Sequence, residues 1–200
     1  MKEIDKMKQG LLYHPFSLED NTWLKIRKAL KDFNESEYWK DPKPLEHLRS
    51  FFKQSYSDLA LVPPFYCDHG INISIGRHFQ GNTGITILDE ATVSIGNDVF
   101  MGPHVSLYTP IHPLWAPIRN KDVELAKPIT IEDSVWIAGN VVVNAGVTIG
   151  KGSVIGSGSV VTKSIPPGVF AAGNPCKVIR KIEDEDIIYW ERMYKESNHE

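Results

Sequence analysis

One histidine of the sequence stands where it could act as a base. His112 lies in a segment, Tyr108–Pro128, that contains four prolines and no repeat pattern. A neutral imidazole, whose unperturbed pKa is about 6.5, can take a proton from a hydroxyl group near neutral pH. Glu124 could orient this ring and stabilise its charged form. The alternatives are an ordinary loop histidine before a proline, and a surface ion pair of Glu124 with Lys121 or Lys127.

A second set of residues could bind an anion. No acidic residue occurs between Asp133 and Glu183. The basic residues of this interval are Lys151, Lys163, Lys177, Arg180 and Lys181. A field of one sign suits phosphate groups. The alternative is a solvated basic face with no ligand.

The elements that must position these residues repeat every six positions. Aliphatic residues recur without a gap at Ile131, Ile137, Val143, Ile149, Ile155 and Val161. Upstream, the spacing continues at Ile95, Met101 and Leu107, and more loosely at Ile75, Gly81 and Ile87. A helix repeats every 3.6 residues and a strand every 2, so neither produces this period.

A period of six indicates a short strand followed by a corner, with three such units in each coil. Stacked coils then lie about 4.8 Å apart and bury a common core. This pattern is typical of the hexapeptide parallel β-helix, whose members wind left-handed. We attribute the corner glycines to a need for positive φ angles. They are Gly76, Gly96, Gly102, Gly150 and Gly156.

The first third of the chain has a different composition. Residues 1–66 contain 3 of the Val and Ile residues, whereas residues 67–181 contain 29. Two apolar stripes at helical spacing predict helices. The first stripe is Trp23, Ile26, Leu30 and Phe33, and the second is Leu45, Leu48, Phe52 and Tyr56. These helices cover an apolar surface, or they also shape a substrate pocket.

We therefore predict an all-β core with helices at both ends. Residues 1–62 form an N-terminal helical cap, residues 63–182 the left-handed β-helix with an extruded loop at 108–128, and residues 183–200 a short C-terminal helix or tail. No apolar run approaches the ~20 residues of a membrane span. The net charge of −3 argues against a nucleic-acid partner. We expect no secretory signal, because the first residues include acids and no apolar run, and we expect a cytoplasmic location, because two cysteines fit a reducing compartment.

The motifs resemble those of the sugar O-acetyltransferases, the group of maltose, galactoside and nodulation-factor acetyltransferases. The resemblance covers roughly residues 8–182. Its motifs are Pro-Pro-Phe-Tyr-Cys-Asp (63–68), Ile-Gly-Asn-Asp-Val (95–99), Gly-Pro-His-Val (102–105), Thr-x-x-His-Pro (109–113), Lys-Pro-Ile (127–129), Val-Trp-Ile (135–137), Val-Val-Thr-Lys (160–163) and Ala-Ala-Gly-Asn-Pro-Cys-Lys-Val-Ile-Arg (171–180).

The resemblance implies transfer of an acetyl group from acetyl-CoA to a hydroxyl of a sugar or similar acceptor, without a metal. It also implies a homotrimer with active sites between neighbouring subunits. The catalytic histidine of the family matches His112, which would act as general base in a direct transfer. The backbone N–H that meets the oxyanion falls near Gly139.

The resemblance also assigns binding residues. Contacts to CoA fall on Asn82, Ser157, Thr162, Lys163, Lys177 and Arg180. Contacts to acceptor hydroxyls fall on Asp68, Asn82 and Glu90, whose oxygens are suitable acceptors; Asp68 could instead be a structural turn residue. Trp136 packs along the pantetheine arm or at the trimer interface.

The N-terminal motif departs from the family pattern. The family commonly has an Asp soon after its Gly-x-x-Tyr, whereas here Gly10-Leu-Leu-Tyr13 continues as His-Pro-Phe-Ser (14–17). The missing carboxylate allows a different acceptor, including an antibiotic or another xenobiotic hydroxyl.

Two more distant alternatives share the coil. One is a γ-class carbonic anhydrase, with zinc held by His78, His104 and His112, and the other is a scaffold protein without catalysis. A scaffold does not need the base in the extruded loop. Cys67 and Cys176 are not expected to carry an acyl group.

Overall fold

The computed structural model describes residues 1–19 and 21–198. Asp20, at the expected start of the first helix, and the last two residues of the expected tail lie outside this part. The helices are α1 (Glu3–Lys8), α2 (Thr22–Asn34), α3 (Lys43–Arg49), α4 (Ala116–Arg119) and α5 (Asp184–Asn198), with a 3-10 turn at Pro15–Ser17. None of the helices in these ranges is long and apolar enough to cross a membrane.

The described residues form eighteen short strands. They are β1 (Ala60–Leu61), β2 (Phe65–Cys67), β3 (Ile73–Ile75), β4 (Gln80–Gly81), β5 (Ile85–Leu88), β6 (Val93–Ile95), β7 (Phe100–Met101), β8 (Ser106–Tyr108), β9 (Pro110–Ile111), β10 (Leu125–Ala126), β11 (Ile129–Ile131), β12 (Trp136–Ile137), β13 (Val142–Val143), β14 (Thr148–Ile149), β15 (Val154–Ile155), β16 (Val160–Val161), β17 (Val169–Ala172) and β18 (Lys177–Lys181).

Most of these strands form three sheets that run along a common core. Sheet I contains β3, β6, β11 and β14; sheet II contains β1, β4, β7, β12, β15, β17 and β18; sheet III contains β2, β5, β8, β13 and β16. The chain visits sheets I, II and III in turn, and the strands pair in parallel except β18. The predicted left-handed β-helix of hexapeptide repeats is confirmed. Its first strand, β1, precedes residue 63.

The length of one coil changes along the chain. Ile131 pairs with Ile149, 18 residues later, which is three repeats of six. Ile75 pairs with Ile95, 20 residues later. The two additional residues lie where the chain passes from sheet III to sheet I. This corner, hereafter the III–I corner, is therefore wider in the early coils than in the later ones.

The reason that we gave for the corner glycines is wrong. Gly76 and Gly102 do not have positive φ angles; left-handed φ values occur two residues later, at His78 and His104. A Cβ on Gly76 would lie 2.6 Å from the backbone carbon of Gly96, in the next coil. These glycines are needed because adjacent coils approach too closely for a side chain.

The helical cap closes one end of the coil. Ile26, Leu30 and Phe33 of α2 and Leu48 of α3 are buried in the same apolar cluster as the inward-facing residues of the coil. The second helix is shorter than predicted, because Gln54 already pairs with Ser74 as an extended residue. Phe52 is buried beyond the end of α3, and Tyr56 also lies outside the helix.

Helix α5 contains no buried residue among those described. It is joined to β18 by Arg180, whose guanidinium donates to both carboxylate oxygens of Asp186 at 2.6 and 2.7 Å. The helix is therefore held by a surface ion pair and not by packing against its own coil.

Candidate functional site

The III–I corner brings together acidic side chains from successive coils. Asp68 directly follows β2, and Glu90 follows β5 after one residue. Because β2 and β5 pair in parallel, the residues that follow them stack on the same edge. The eight-residue step from Ile87 to Ile95, against six from Val143 to Ile149, provides the room for these side chains.

The segment that contains His112 leaves the coil at the same corner. Strands β9 and β10 form an antiparallel pair, with Ile111 opposite Leu125. His112 follows one strand and Glu124 precedes the other, so the hairpin brings their side chains together. The His112 Nε2 atom lies 3.6 Å from the Glu124 Oε2 atom. The His112 side chain is 60% exposed, whereas that of Glu124 is 8% exposed, so the imidazole faces the solvent and the carboxylate is enclosed.

Tyr13 fixes the position of Glu124. Its hydroxyl donates to the Glu124 Oε1 atom at 2.5 Å, and the two backbones exchange N–H···O bonds of 2.9 and 3.0 Å. Burial, and then the hydrogen bond to Glu124, raise the pKa of Tyr13 well above its usual value. The hydroxyl therefore remains a donor. We predicted no role for Tyr13 from the sequence, although the motif Gly10-x-x-Tyr13 could have indicated that this tyrosine belongs to the site.

Asp68 and Glu90 have different electrostatic surroundings. Arg27 of α2 lies 3.2 Å from the Asp68 Oδ1 atom. Burial, and next the charge of Asp68, raise the pKa of Glu90 to about 9. Glu90 is therefore protonated at neutral pH and can donate as well as accept a hydrogen bond. The Thr109 hydroxyl, 3.4 Å from the Glu90 Oε2 atom, lies beside it.

Asp68, Glu90, His112 and Glu124 line one cleft of about 700 Å³. The coil and its loop contribute Asp68, His69, Glu90, His112, Arg119, Asn120, Asp122 and Glu124, and the cap contributes Pro15, Phe16, Leu18, Trp23 and Arg27. The cap thus covers the core and also shapes a pocket. Arg27 and the four apolar cap residues were not among the predicted site residues.

Three of the predicted binding residues lie at a different corner, between sheets II and III. Asn82 follows β4, whereas Gly139 and Ser157 follow β12 and β15 in two successive coils; the coil of β7 lies between those of Asn82 and Gly139. The N–H of Gly158 donates to the Gly139 carbonyl at 3.0 Å, which shows that this corner also stacks. None of the three lines the cleft.

The other predicted CoA-binding residues lie farther along the chain. Thr162 and Lys163 follow β16 at the III–I corner, and Lys177 and Arg180 lie on β18. The ion pair with Asp186 occupies the Arg180 guanidinium. Trp136, on β12, is half exposed. Within one chain, therefore, none of the predicted CoA-binding residues lines the cleft that contains His112.

The histidines of the zinc alternative are separated as well. His78 lies between sheets I and II, His104 between sheets II and III, and His112 at the III–I corner. Within residues 1–19 and 21–198, no group of three or more His, Cys, Asp or Glu side chains is placed to hold a metal ion. Cys67 and Cys176 are free and buried, and burial raises the pKa of both thiols.

Comparisons with known proteins agree with this architecture. Residues 128–163 match the family model described as bacterial transferase hexapeptide (six repeats). The galactoside O-acetyltransferase of Escherichia coli strain K12 is 43% identical over 176 residues, which are 86% of this chain and 85% of that protein.

Solved structures of acetyltransferases also have the fold of this chain. A maltose O-acetyltransferase from Clostridium difficile 630 is 38% identical and superimposes with a TM-score of 0.87, covering 92% of this chain and 98% of that one. A hexapeptide-repeat acetyltransferase from Vibrio cholerae, solved with acetyl coenzyme A, is 35% identical with a TM-score of 0.83, covering 92% and 100%.

Proposed function

Because the chain belongs to the family of hexapeptide-repeat sugar O-acetyltransferases and is an acyltransferase, we propose that it transfers the acetyl group of acetyl-CoA to a hydroxyl of a sugar or sugar-like acceptor. The observation that carries this proposal is that Tyr13 holds Glu124 and Glu124 lies next to His112. The exposed imidazole of His112 lines the same cleft as Asp68 and Glu90. Membership in this family sets aside the carbonic anhydrase and scaffold alternatives.

His112 is the general base of the proposed reaction. Its neutral imidazole takes the proton of the acceptor hydroxyl while the oxygen attacks the thioester carbonyl carbon. The carbon–sulfur bond then breaks, the acetyl group stays on the acceptor oxygen, and the proton passes to the leaving thiolate of CoA. Glu124, 3.6 Å away, stabilises the imidazolium that forms between these two steps.

Transfer is direct, in a complex that holds both substrates. A covalent acyl-enzyme would need an accessible nucleophile. Cys67 is 1% exposed and Cys176 is 8% exposed, so neither thiol can reach acetyl-CoA without local opening. Free thiols also fit the reducing cytoplasm in which we place the enzyme.

Acetyl-CoA binds along the acid-free interval of the chain. Ser157, Thr162, Lys163, Lys177 and Arg180 supply the contacts to CoA, with Asn82 at the same corner as Ser157. Gly139 meets the developing oxyanion through its backbone. In the part of the chain that the structure describes, the Gly139 N–H donates to no acceptor, so it is available for this task.

The separation of the two corners supports a homotrimer. His112 leaves the coil at the III–I corner, whereas Gly139 and Ser157 lie between sheets II and III. A base from one chain and an N–H from its neighbour complete the site when two chains lie side by side. In a trimer, His112 and Gly139 of neighbouring chains can therefore meet without any change in the fold of either chain.

The test is an acceptor screen that follows the release of CoA thiol from acetyl-CoA. Glucose, maltose, galactosides and non-sugar alcohols are compared at equal concentration, with mass measurement of the acetylated product. Release of thiol with a sugar hydroxyl and not with water supports the proposal, and no transfer to any hydroxyl acceptor contradicts it. Light scattering after gel filtration gives the number of chains; a monomer that is fully active excludes the shared site.

A further inference from the structure

We propose that Asp89 is a positioning residue for the acceptor: its buried carboxylate binds the turn that carries Asp68 and so holds the Asp68 side chain toward the cleft. The inference rests on the proposed function and on the assignment of Asp68 to a hydroxyl of the acceptor. It comes from a set of hydrogen bonds between two successive coils at the III–I corner.

Asp89 is an acidic residue in the interior of the coil. It lies between β5 and β6 and is 0% exposed, whereas the next residue, Glu90, lines the cleft. A buried carboxylate is costly unless it is hydrogen-bonded. A side chain with no exposed area cannot touch a bound acceptor, so an effect of Asp89 on acceptor binding must pass through its neighbours.

The carboxylate of Asp89 binds one turn of the preceding coil, residues 68–72. Its Oδ1 atom accepts the backbone N–H of Asp68 at 3.0 Å and that of His69 at 2.8 Å, and its Oδ2 atom accepts the backbone N–H of Asn72 at 3.4 Å. In return, the Asn72 side-chain amide donates to the Asp89 carbonyl at 2.6 Å. The turn is therefore bound at both of its ends.

Helix α2 packs against the same turn. Gly70 has a φ of +75°, and a Cβ there would meet the side chain of Ile26. The next residue of the helix, Arg27, lies 3.2 Å from the Asp68 Oδ1 atom. Asp89 thus holds the backbone of Asp68 while Arg27 holds its carboxylate. A group that is fixed before binding costs less entropy when the ligand arrives.

Asp133 makes the same kind of bond away from the cleft. Its Oδ1 atom accepts the backbone N–H of Asn97, in the preceding coil, at 2.8 Å. This contact lies between sheets I and II, and neither residue lines the cleft. A carboxylate that joins two coils can therefore be purely structural, and Asp133→Ala is the matched control for Asp89→Ala.

The experiment measures steady-state kinetics with acetyl-CoA and with glucose, maltose or methyl β-D-galactopyranoside as the acceptor. We expect Asp89→Ala to raise the KM for the sugar about tenfold, as for the loss of one directed hydrogen bond. The kcat and the KM for acetyl-CoA should change less than about twofold, since Asp68 binds only the acceptor. Asp133→Ala should leave the KM for the sugar unchanged.

Two milder variants test the same contact. Asp89→Asn keeps one oxygen for the two shorter bonds and should recover most of the KM for the sugar. Asn72→Ala removes only the bond to the Asp89 carbonyl and should raise this KM about two- to threefold. Asn72→Ala therefore decides the question if Asp89→Ala does not fold, and an unchanged KM in it would overturn the inference.

A double-mutant cycle with Asp68→Asn separates positioning from a general loss of structure. Because Asp89 acts through Asp68, Asp89→Ala should change the KM for the sugar less than about twofold when Asp68→Asn is already present. Additive effects would overturn the inference, since Asp89 would then act through another residue. Equal KM values in Asp89→Asn and Asp89→Ala would also overturn it, because the hydrogen bonds would then be irrelevant.

Amide hydrogen exchange tests the contact without turnover. In Asp89→Ala, a peptide that covers residues 65–73 should exchange faster while one that covers residues 95–101 stays unchanged, and Asp133→Ala should give the reverse. Unchanged exchange at 65–73 in Asp89→Ala would overturn the inference. The absence of acetyl transfer to any sugar would contradict the proposed function instead, and the exchange would still show whether Asp89 holds the turn.

Discussion

Tyr13 and Glu124 are joined twice, through their backbones and through a 2.5 Å hydrogen bond between the phenol and the carboxylate. The contact links the N-terminal cap to the extruded loop across 111 positions of sequence. Glu124 in turn faces His112. The cap therefore determines where the partner of the proposed base lies.

Tyr13→Phe should impair both stability and turnover. The loss of a hydrogen bond to a buried carboxylate costs about 1.5–3 kcal/mol of unfolding free energy. We expect kcat to fall three- to tenfold with little change in the KM for acetyl-CoA, because Tyr13 acts through Glu124. Urea unfolding and initial-rate kinetics measure the two effects. Tyr66→Phe is the control, since Tyr66 is exposed on sheet III; a KM effect as large as the kcat effect would contradict the positioning role.

His112→Ala should lower kcat by about 10² to 10⁴, the usual range for the loss of a general base. The measurement is the steady-state rate of thiol release at saturating acceptor. His78→Ala serves as the matched control, because His78 lies at another corner and its contact with Asp98 is largely exposed. An unchanged rate in His112→Ala would remove this residue from the mechanism.

Glu90→Gln should alter the pH dependence of stability. In the wild type, the pKa of Glu90 is raised from its ordinary 4.5 to about 9, so the folded state keeps a proton that the unfolded state releases between these values. The contribution of this group is complete below about pH 4.5 and is lost as the pH rises toward 9, by at most about 1.4 kcal/mol per pH unit.

The test of this effect is the difference between two curves. Glutamine resembles the protonated acid and does not titrate, so Glu90→Gln should gain stability relative to the wild type as the pH rises from 5 to 9. Denaturant unfolding at intervals of one pH unit measures the difference. Parallel curves would mean that Glu90 is ionised in the folded protein.

Gly76→Ala tests the explanation of the corner glycines. A Cβ there would meet the Gly96 backbone at 2.6 Å, so adjacent coils must separate. We expect a loss of about 1–3 kcal/mol, as for other overpacked sites. Gly152→Asn is the comparison, because Gly152 has a φ of +68° and open space around its Cβ position, and Asn tolerates that conformation. If Gly152→Asn were the more damaging change, conformation and not proximity would limit the corners.

Asp186→Asn should release Arg180 from its ion pair. If Arg180 binds a phosphate of CoA as proposed, Asp186 competes for the same guanidinium. We expect the KM for acetyl-CoA to fall two- to fivefold at low salt and the effect to fade at high salt, because exposed charges are screened. An unchanged or higher KM at low salt would mean that Arg180 serves to hold α5 and does not bind CoA.

The coil could be predicted from the sequence because its packing is periodic. Every sixth residue faces the common core, so burial leaves a direct trace in the sequence. The α2 helix was predictable for a similar reason, since Ile26, Leu30 and Phe33 form one buried stripe. The end of α3 was not, because Gln54 joins the coil through a tertiary contact that no local pattern records.

The site was predictable only in part. His112 and Glu124 could be named from residue type and resemblance, but their contact depends on strands of two residues, which are too short to show a period. The pairing of Tyr13 with Glu124 depends on how the cap packs against the loop. The wider III–I corner did leave a trace, in the eight-residue step from Ile87 to Ile95. This longer step could have predicted the wider corner from the sequence alone.

The loop also leaves and re-enters the coil without disturbing it. Leu107 pairs with Val143 and Ile95 with Ile131, so each pair forms as it would across one ordinary coil although its members are 36 positions apart. The loop therefore leaves the register of the flanking coils unchanged. Thr109 and Glu124 tie the two ends of the segment to the coil and to the cap, whereas none of residues 113–122 is buried. We therefore expect that residues 113–122 can be exchanged, and the lining of the cleft changed with them, while the framework keeps the same register.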